Sequence, residues 1–228
     1  MAKHSKKYQD ALKQAPQTAV SLEEAVAFIK AHPGAKFDET VDVGFRLGAD
    51  PTKSDQAVRG VVHLPHGTGK HVRVVVFAAG DMADAATAAG ADAVGLDDLI
   101  EKVKGGWVDF DVAIATTDAM KQVRTVARVL GPRGLMPNPK TGTVTDDVAA
   151  AAVKAAQAGK VDFRMDRTGN VCVPAGKLSF EADKLVDNIR AIIDAVEHER
   201  PAAAKGIFIR SCTISPTMGV GVRVIVKE

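Results

Sequence analysis

The run Val72-Arg-Val-Val-Val-Phe77 constrains this chain more than any other stretch. It is almost continuously β-branched, as expected of a strand covered on both faces, and such strands belong to parallel sheets. The residues after it fit that reading. Gly80-Asp81 punctuates the run, and an Ala-rich helix is expected to Ala89. A short strand at Ala93-Val94, a helix from Asp97 to about Lys104, a strand over 111–115 and a helix from Asp118 to Leu130 come next. Such alternation implies a small parallel sheet with right-handed crossovers. Thr145, Asp146 and Asp147 then open a helix expected to end near Gly159.

The two ends of the chain read differently. A first helix is expected over about 3–14, before Pro16, and a second opens on the capping box Ser21-Leu-Glu-Glu24. Leu22, Ala25, Val26 and Ile29 then keep the spacing of one buried helical stripe. From Phe37 the period changes to two. Phe37, Val41, Val43, Phe45 and Leu47 stand against polar or small neighbours, which predicts a half-buried strand, with another near Gly60–Leu64. Past Lys160, Val161, Phe163 and Met165 alternate again, Thr168-Gly169-Asn170 turns, and Val171–Val173 runs back as a hairpin partner. Ser179 is the expected cap of a long helix with Leu185, Ile189, Ile193 and Val196 on one stripe, stopped by Pro201. Ile207–Ile214 and Val220–Val226 flank a Pro-Thr-Met-Gly turn as a closing hairpin. The fold class is therefore α/β with two domains. Residues 1–67 and 160–228 form a split α+β domain from both chain ends, and 68–159 form an inserted, Rossmann-like αβ domain with a small parallel sheet.

Several chemistries lack their residues. No apolar run approaches the roughly 18 residues that span a bilayer. The basic start has no apolar stretch behind it, so neither membrane nor secretion is expected. Cys172 and Cys212 are too few for a disulfide framework or a zinc site, and both are expected to be small buried hydrophobes. Gly67-Thr-Gly-Lys70 superficially suggests a phosphate loop, but Leu64 and His71 occupy positions that need Gly and a hydroxyl. It reads better as a hinge. His63, His66 and His71 lack a fourth ligand nearby, so no metal is expected. No dinucleotide fingerprint follows Phe77 or Ala115, no nucleophile elbow occurs, and Asp109 and Asp111 read as capping or solvated acids. No catalytic residue and no cofactor are expected.

Charge is partitioned although the net value is only +2. Residues 80–111 and 181–199 are strongly acidic. Residues 121–140 carry Lys121, Arg124, Arg128, Arg133 and Lys140 with no acid, and 203–227 carry Lys205, Arg210, Arg223 and Lys227 with none. Discrete basic surfaces suit a polyanionic partner, and ordinary clustering on solvated faces is the plain alternative. Aromatic residues make up only 4% of the chain. A nucleic-acid reader with so few rings would use shape, phosphate and sugar hydroxyls rather than base stacking. One candidate surface gathers Lys36, Phe37, Thr40, Arg164, Arg167, Thr168, Ser211, Thr217, Met218 and Gly219. Hydroxyls there can meet ribose or phosphate, Gly219 permits close backbone approach, and Met218 offers a flexible apolar face. Spacing alone also allows these to be ordinary turn residues. Arg133 and Lys140, in the Gly/Pro-rich loop 131–142, offer a second phosphate contact or mark an ordinary connection.

Five segments carry a resemblance: Ala35-Lys-Phe-Asp-Glu-Thr-Val41, residues 58–70, Gly131-Pro-Arg-Gly-Leu-Met-Pro-Asn-Pro-Lys140, Gly159-Lys-Val-Asp-Phe-Arg164 and Thr217-Met-Gly219. Together they resemble the bacterial family of ribosomal protein L-one, the stalk protein of the large subunit. The resemblance covers essentially the whole chain. It implies a cytoplasmic protein of the large ribosomal subunit that binds the stalk of 23S rRNA. It further implies roles beside exit-site tRNA and in repressing its own operon by binding that mRNA, and a monomer off the ribosome. The family's RNA surface carries over to Lys36, Phe37, Thr40, Arg164, Thr168, Ser211, Thr217, Met218 and Gly219. Arg167 stands where the family commonly has Lys, which keeps charge but changes hydrogen-bond geometry. The alternative reading is a small αβ enzyme with a nucleotide cofactor; a protein-interaction scaffold is a third.

Overall fold

The computed structural model describes residues 5–145, 153, 156 and 159–226, without the side chains of Ser54 and Lys140. The chain divides into two compact units, one of Met1–Gly69 with Val161–Glu228 and one of Lys70–Lys160.

The first unit opens with helix α1 (Lys6–Gln14), capped by Ser5, whose Oγ accepts from the Tyr8 N–H at 3.3 Å. Helix α2 (Leu22–Ala31) starts at Ser21, whose Oγ accepts from Glu24 N–H at 3.3 Å, and buries Ala25, Val26 and Ile29. Strands β1 (Thr40–Leu47), β7 (Asn170–Lys177), β8 (Ile209–Pro216) and β9 (Val222–Val224) make an antiparallel sheet in the order β7-β1-β8-β9. Strands β2 (Arg59–His63) and β6 (Lys160–Arg164) pair in a separate two-stranded sheet. The long helix α7 (Ala182–His198) and α2 pack their apolar stripes on the inner sheet face, where Val41, Val43, Phe45, Val173 and Ile214 are almost wholly buried. Two polar side chains, Glu39 and Asn188, are buried among them.

The second unit has a three-stranded parallel sheet, β4-β3-β5, from β3 (Val74–Phe77), β4 (Ala93–Gly95) and β5 (Val112–Ala115). Every residue of β3 is buried. Its two faces explain why. Val75 and Phe77 join the core under α4 (Asp97–Lys104) and the segment after β5, whereas Val74 and Val76 join the one that includes Ala86 of α3 (Asp81–Ala88).

Five expectations change. The helix expected from Asp118 to Leu130 is α5 (Met120–Val123), a 3-10 turn (Arg124–Val126) and α6 (Ala127–Leu130). Val126 leaves helical geometry at φ −99°, ψ 6°, and the Thr125 hydroxyl donates back to the Gln122 carbonyl at 2.7 Å. The hairpin expected across Thr168-Gly169-Asn170 does not form, because β6 pairs with β2 while β7 pairs with β1. Ser179 does not cap α7. Its N–H and hydroxyl go to the Asp38 carboxylate at 3.1 and 2.8 Å, and the helix starts after Glu181 with no side-chain cap. Phe37 lies outside β1 and is 58% exposed. Cys212 is buried but Cys172 is exposed, because the two face opposite sides of the sheet. The helix expected over 145–159 falls largely outside the described residues. No described helix is long and apolar enough to cross a membrane.

Candidate nucleic-acid interface

Period-two strands give the four-stranded sheet a second face, opposite the core. It carries Asn170, Cys172 and Pro174 from β7, Thr40, Asp42, Gly44 and Arg46 from β1, Ser211, Thr213 and Ser215 from β8, and Arg223 from β9. Register sets these side by side: Asp42 opposite Ser215, Gly44 opposite Thr213, Arg46 opposite Ser211, and Thr213 opposite Arg223. The face offers hydroxyls and cations, and no large aliphatic or aromatic side chain.

At one end, two chain bends are stitched together. Thr40 N–H donates to Thr217 Oγ1 at 3.1 Å, and that hydroxyl donates to the Thr40 carbonyl at 3.2 Å. The buried Glu39 reinforces the join. Its Oε1 accepts from Ala35 N–H at 2.7 Å, its Oε2 from Met218 N–H at 2.8 Å, and its backbone carbonyl from Leu178 N–H at 2.8 Å. Glycine is required on both sides of this contact. A Cβ on Gly34 would lie 2.8 Å from the Met218 carbonyl oxygen, and one on Gly219 would lie 2.4 Å from Pro216 Cγ. Gly219 therefore serves the packing of its own turn. Phe37 and Met218, 58% and 59% exposed, project at this end beside Lys36. Lys177 Nζ donates to Thr40 Oγ1 at 3.0 Å.

At the other end, Asp166 shapes the loop. Its carboxylate accepts from Thr168 N–H, Thr168 Oγ1 and Asn170 N–H, each at 2.8 Å, and Asn170 Nδ2 donates to Thr168 Oγ1 at 2.8 Å. The Asn170 N–H first, then Thr168, holds the Asp166 carboxyl below its usual range. Asn170 pairs with Arg46, which faces Ser211. The two ends lie about 20 Å apart at the rise of a strand. Between them stands Asp42, the one acid among the outward residues of these strands. Burial pushes its carboxyl up, and Lys177 pulls it partly back.

The predicted residues divide accordingly. Lys36, Phe37, Thr40, Thr217, Met218 and Gly219 gather at one end of the face, and Ser211 and Thr168, with Arg167 exposed beside it, at the other. Arg164 is exposed on β6, in the other sheet of this unit. Arg133 is exposed in the second unit, and the Lys140 side chain is not described. Arg46, Thr213, Ser215 and Arg223 were missed, although their alternation with buried partners in β1, β8 and β9 was available. Glu39 gave no such signal, because its role as a brace depends on Met218 and Leu178, far away in the chain, as well as on the nearby Ala35. Among the described residues, no group of His, Cys, Asp and Glu is placed to hold a metal ion. Lys70, of the supposed phosphate loop, is ion-paired to Asp111 at 2.6 Å.

Residues 29–220 match the Ribosomal protein L1p/L10e family. That is most of the chain, and both ends of the polar face lie within the match. Ribosomal constituents of this kind are in general not enzymes. The chain belongs to the ribosomal protein L1p/L10e family, and is accordingly a cytoplasmic, rRNA-binding structural component of the large ribosomal subunit.

Proposed function

We propose that the outer face of the β7-β1-β8-β9 sheet binds the folded stalk region of 23S rRNA. The contacts assigned to this face and its ends are Lys36, Phe37, Thr40, Arg167, Thr168, Ser211, Thr217, Met218 and Gly219, with Arg164 contributed from β6 of the other sheet. The observation that carries this reading is the reciprocal Thr40–Thr217 pair backed by Glu39. It joins bends from distant parts of the chain into one pre-organised edge, so little ordering cost remains when RNA docks. Hydroxyls and backbone suit ribose and phosphate, and cations supply salt-dependent affinity.

Met218 is the cleanest probe. Its side chain is mostly exposed, so Met218→Ala should change folding stability by less than about 0.5 kcal/mol. Affinity for a stalk fragment should nonetheless fall about tenfold by filter binding, as for a truncated apolar anchor of an interface. Unchanged affinity refutes the assignment. Thr217→Ala is less clean, because that hydroxyl also braces Thr40.

Three finer functions rest on family membership. The same surface represses the chain's own operon by binding its mRNA, so the two RNAs should compete, and simultaneous binding would count against it. The protein also acts in release of exit-site tRNA; ribosomes lacking it that release deacylated tRNA at an unaltered rate would exclude this. Off the ribosome it is a monomer, which sedimentation would check. We further propose that residues 1–67 and 160–228 form a split RNA-binding domain and 68–159 an inserted one, with Arg133 and Lys140 as secondary contacts. Replacing 68–159 by a short bridge should then leave most stalk affinity, and complete loss in a folded deletion would overturn this.

A further inference from the structure

The segment after β5 presents a cationic stripe of which the proposed function uses only Arg133, as a secondary contact. Ala119, Val123, Val126 and Leu130 turn into the core with Phe77 and Ala115. Lys121, Arg124, Thr125 and Arg128 are thereby exposed, and Arg133 is exposed in the loop beyond α6. Lys121, Arg124 and Arg128 recur every three or four residues, about 5–6 Å apart along the helical axis. No acid occurs between Asp118 and Asp146. Lys121 has only a loose contact, 3.9 Å, to an almost fully exposed Asp118. Arg124, Arg128 and Arg133 make no ion pair with any described acid, although the same unit is rich in carboxylates at 81–111.

We propose that this stripe is a second docking surface, for the phosphate backbone of double-helical RNA, bound without regard to sequence. Adjacent unpaired guanidiniums repel one another in the free protein, and a polyanion relieves that repulsion. Arg matches phosphate oxygens with paired N–H donors. The stripe has no aromatic side chain on which an unpaired base could stack, which points to backbone rather than base contact. It also has no large exposed apolar residue; those among the described residues are Leu12, Phe37, Ile207, Met218 and Ile225, all in the other unit. A membrane-surface helix would need such residues to insert beneath its charges. This surface goes beyond the sheet-face reading and does not require it.

The test uses the full chain and a random-sequence RNA duplex of roughly two helical turns, titrated across KCl concentrations. Arg124→Gln with Arg128→Gln should raise the duplex Kd about tenfold and flatten the dependence of log K on log salt by about 2, one unit for each phosphate left without its arginine. Stalk-fragment affinity should move less than about twofold, because neither arginine is among the contacts assigned to the stalk and independent sites contribute additively. Lys121→Gln alone should give a smaller change in the same direction, and thermal melts of all variants should coincide with the parent. Parental chain that ignores the duplex, or a double variant that binds it equally well, overturns the proposal. So does preferential binding of phosphatidylserine vesicles that disappears in the same double variant. Failure of the stalk fragment to bind the parental chain would instead strike the sheet-face reading alone.

Discussion

Glu39→Ala is expected to cost about 2–4 kcal/mol of folding stability and to abolish tight binding of the stalk fragment together. The side chain is fully buried, and both of its oxygens accept from backbone N–H groups of separate segments, Ala35 and Met218. Alanine leaves those two donors without an acceptor in a place that water enters poorly. Glu39→Gln should be nearly as harmful despite its shape. One end of an amide is a donor, so it must face an N–H of Ala35 or Met218. Urea unfolding measures the first effect and filter binding the second. A Gln variant as stable as the parent, with unaltered affinity, would mean that the Thr40–Thr217 pair alone holds the bends.

The second large effect concerns Asn188, on the buried stripe of α7. Its Nδ2 donates to the carbonyls of Ala175 at 2.7 Å and Gly67 at 3.0 Å, and its Oδ1 accepts from His66 N–H at 3.1 Å. The amide thus ties the segment at 66–67 to α7 and β7. Asn188→Asp replaces the NH2 group and its two N–H donors with one acceptor oxygen that faces two carbonyl oxygens. About 3 kcal/mol should be lost at pH 7, where burial and those carbonyls oppose ionisation. The introduced carboxyl has its folded-state pKa raised above the unfolded value, so its penalty is complete above the folded pKa. It lessens as pH falls toward the unfolded value, where a protonated oxygen can serve one carbonyl. Asn188→Ala should lose stability with no such pH dependence. Parallel urea titrations near pH 4.5 and 7 distinguish them, and identical pH profiles for both variants would contradict the hydrogen-bond scheme.

How much of this was legible depends on the range of the interaction concerned. The β-branched run at 72–77 announced a strand covered twice, and β3 is that strand. The alternation of Val41, Val43, Phe45 and Leu47 and the stripe of Leu185, Ile189, Ile193 and Val196 likewise describe faces that are buried. The Ser21 hydroxyl caps α2 as its half of the box requires. In each case the deciding forces act within one or two turns or along one strand. The failures share the opposite property. Ser179 had the composition of a cap, but Asp38 from the far side of the sequence claimed its hydroxyl. Thr168-Gly169-Asn170 had the chemistry of a hairpin turn, yet the strands it joins found different partners.

The candidate surface divides in the same way. Thr217, Met218 and Gly219 were conspicuous as a turn, and Lys36 and Phe37 as a bend before a strand. That these bends share one edge was settled by register between β1 and β8 and by a carboxyl group that bridges nearby Ala35 to distant Met218. Arg46, Thr213, Ser215 and Arg223 join that surface through alternation across three paired strands. Sequence alone determined most of the apolar residues that turn inward, Phe37 and Cys172 excepted, because burial of apolar side chains follows a short period in the chain. Tertiary structure decided which outward residues become neighbours. Hydrogen-bond partners of buried polar groups are chosen by proximity in space, and a linear order of residues does not encode that distance.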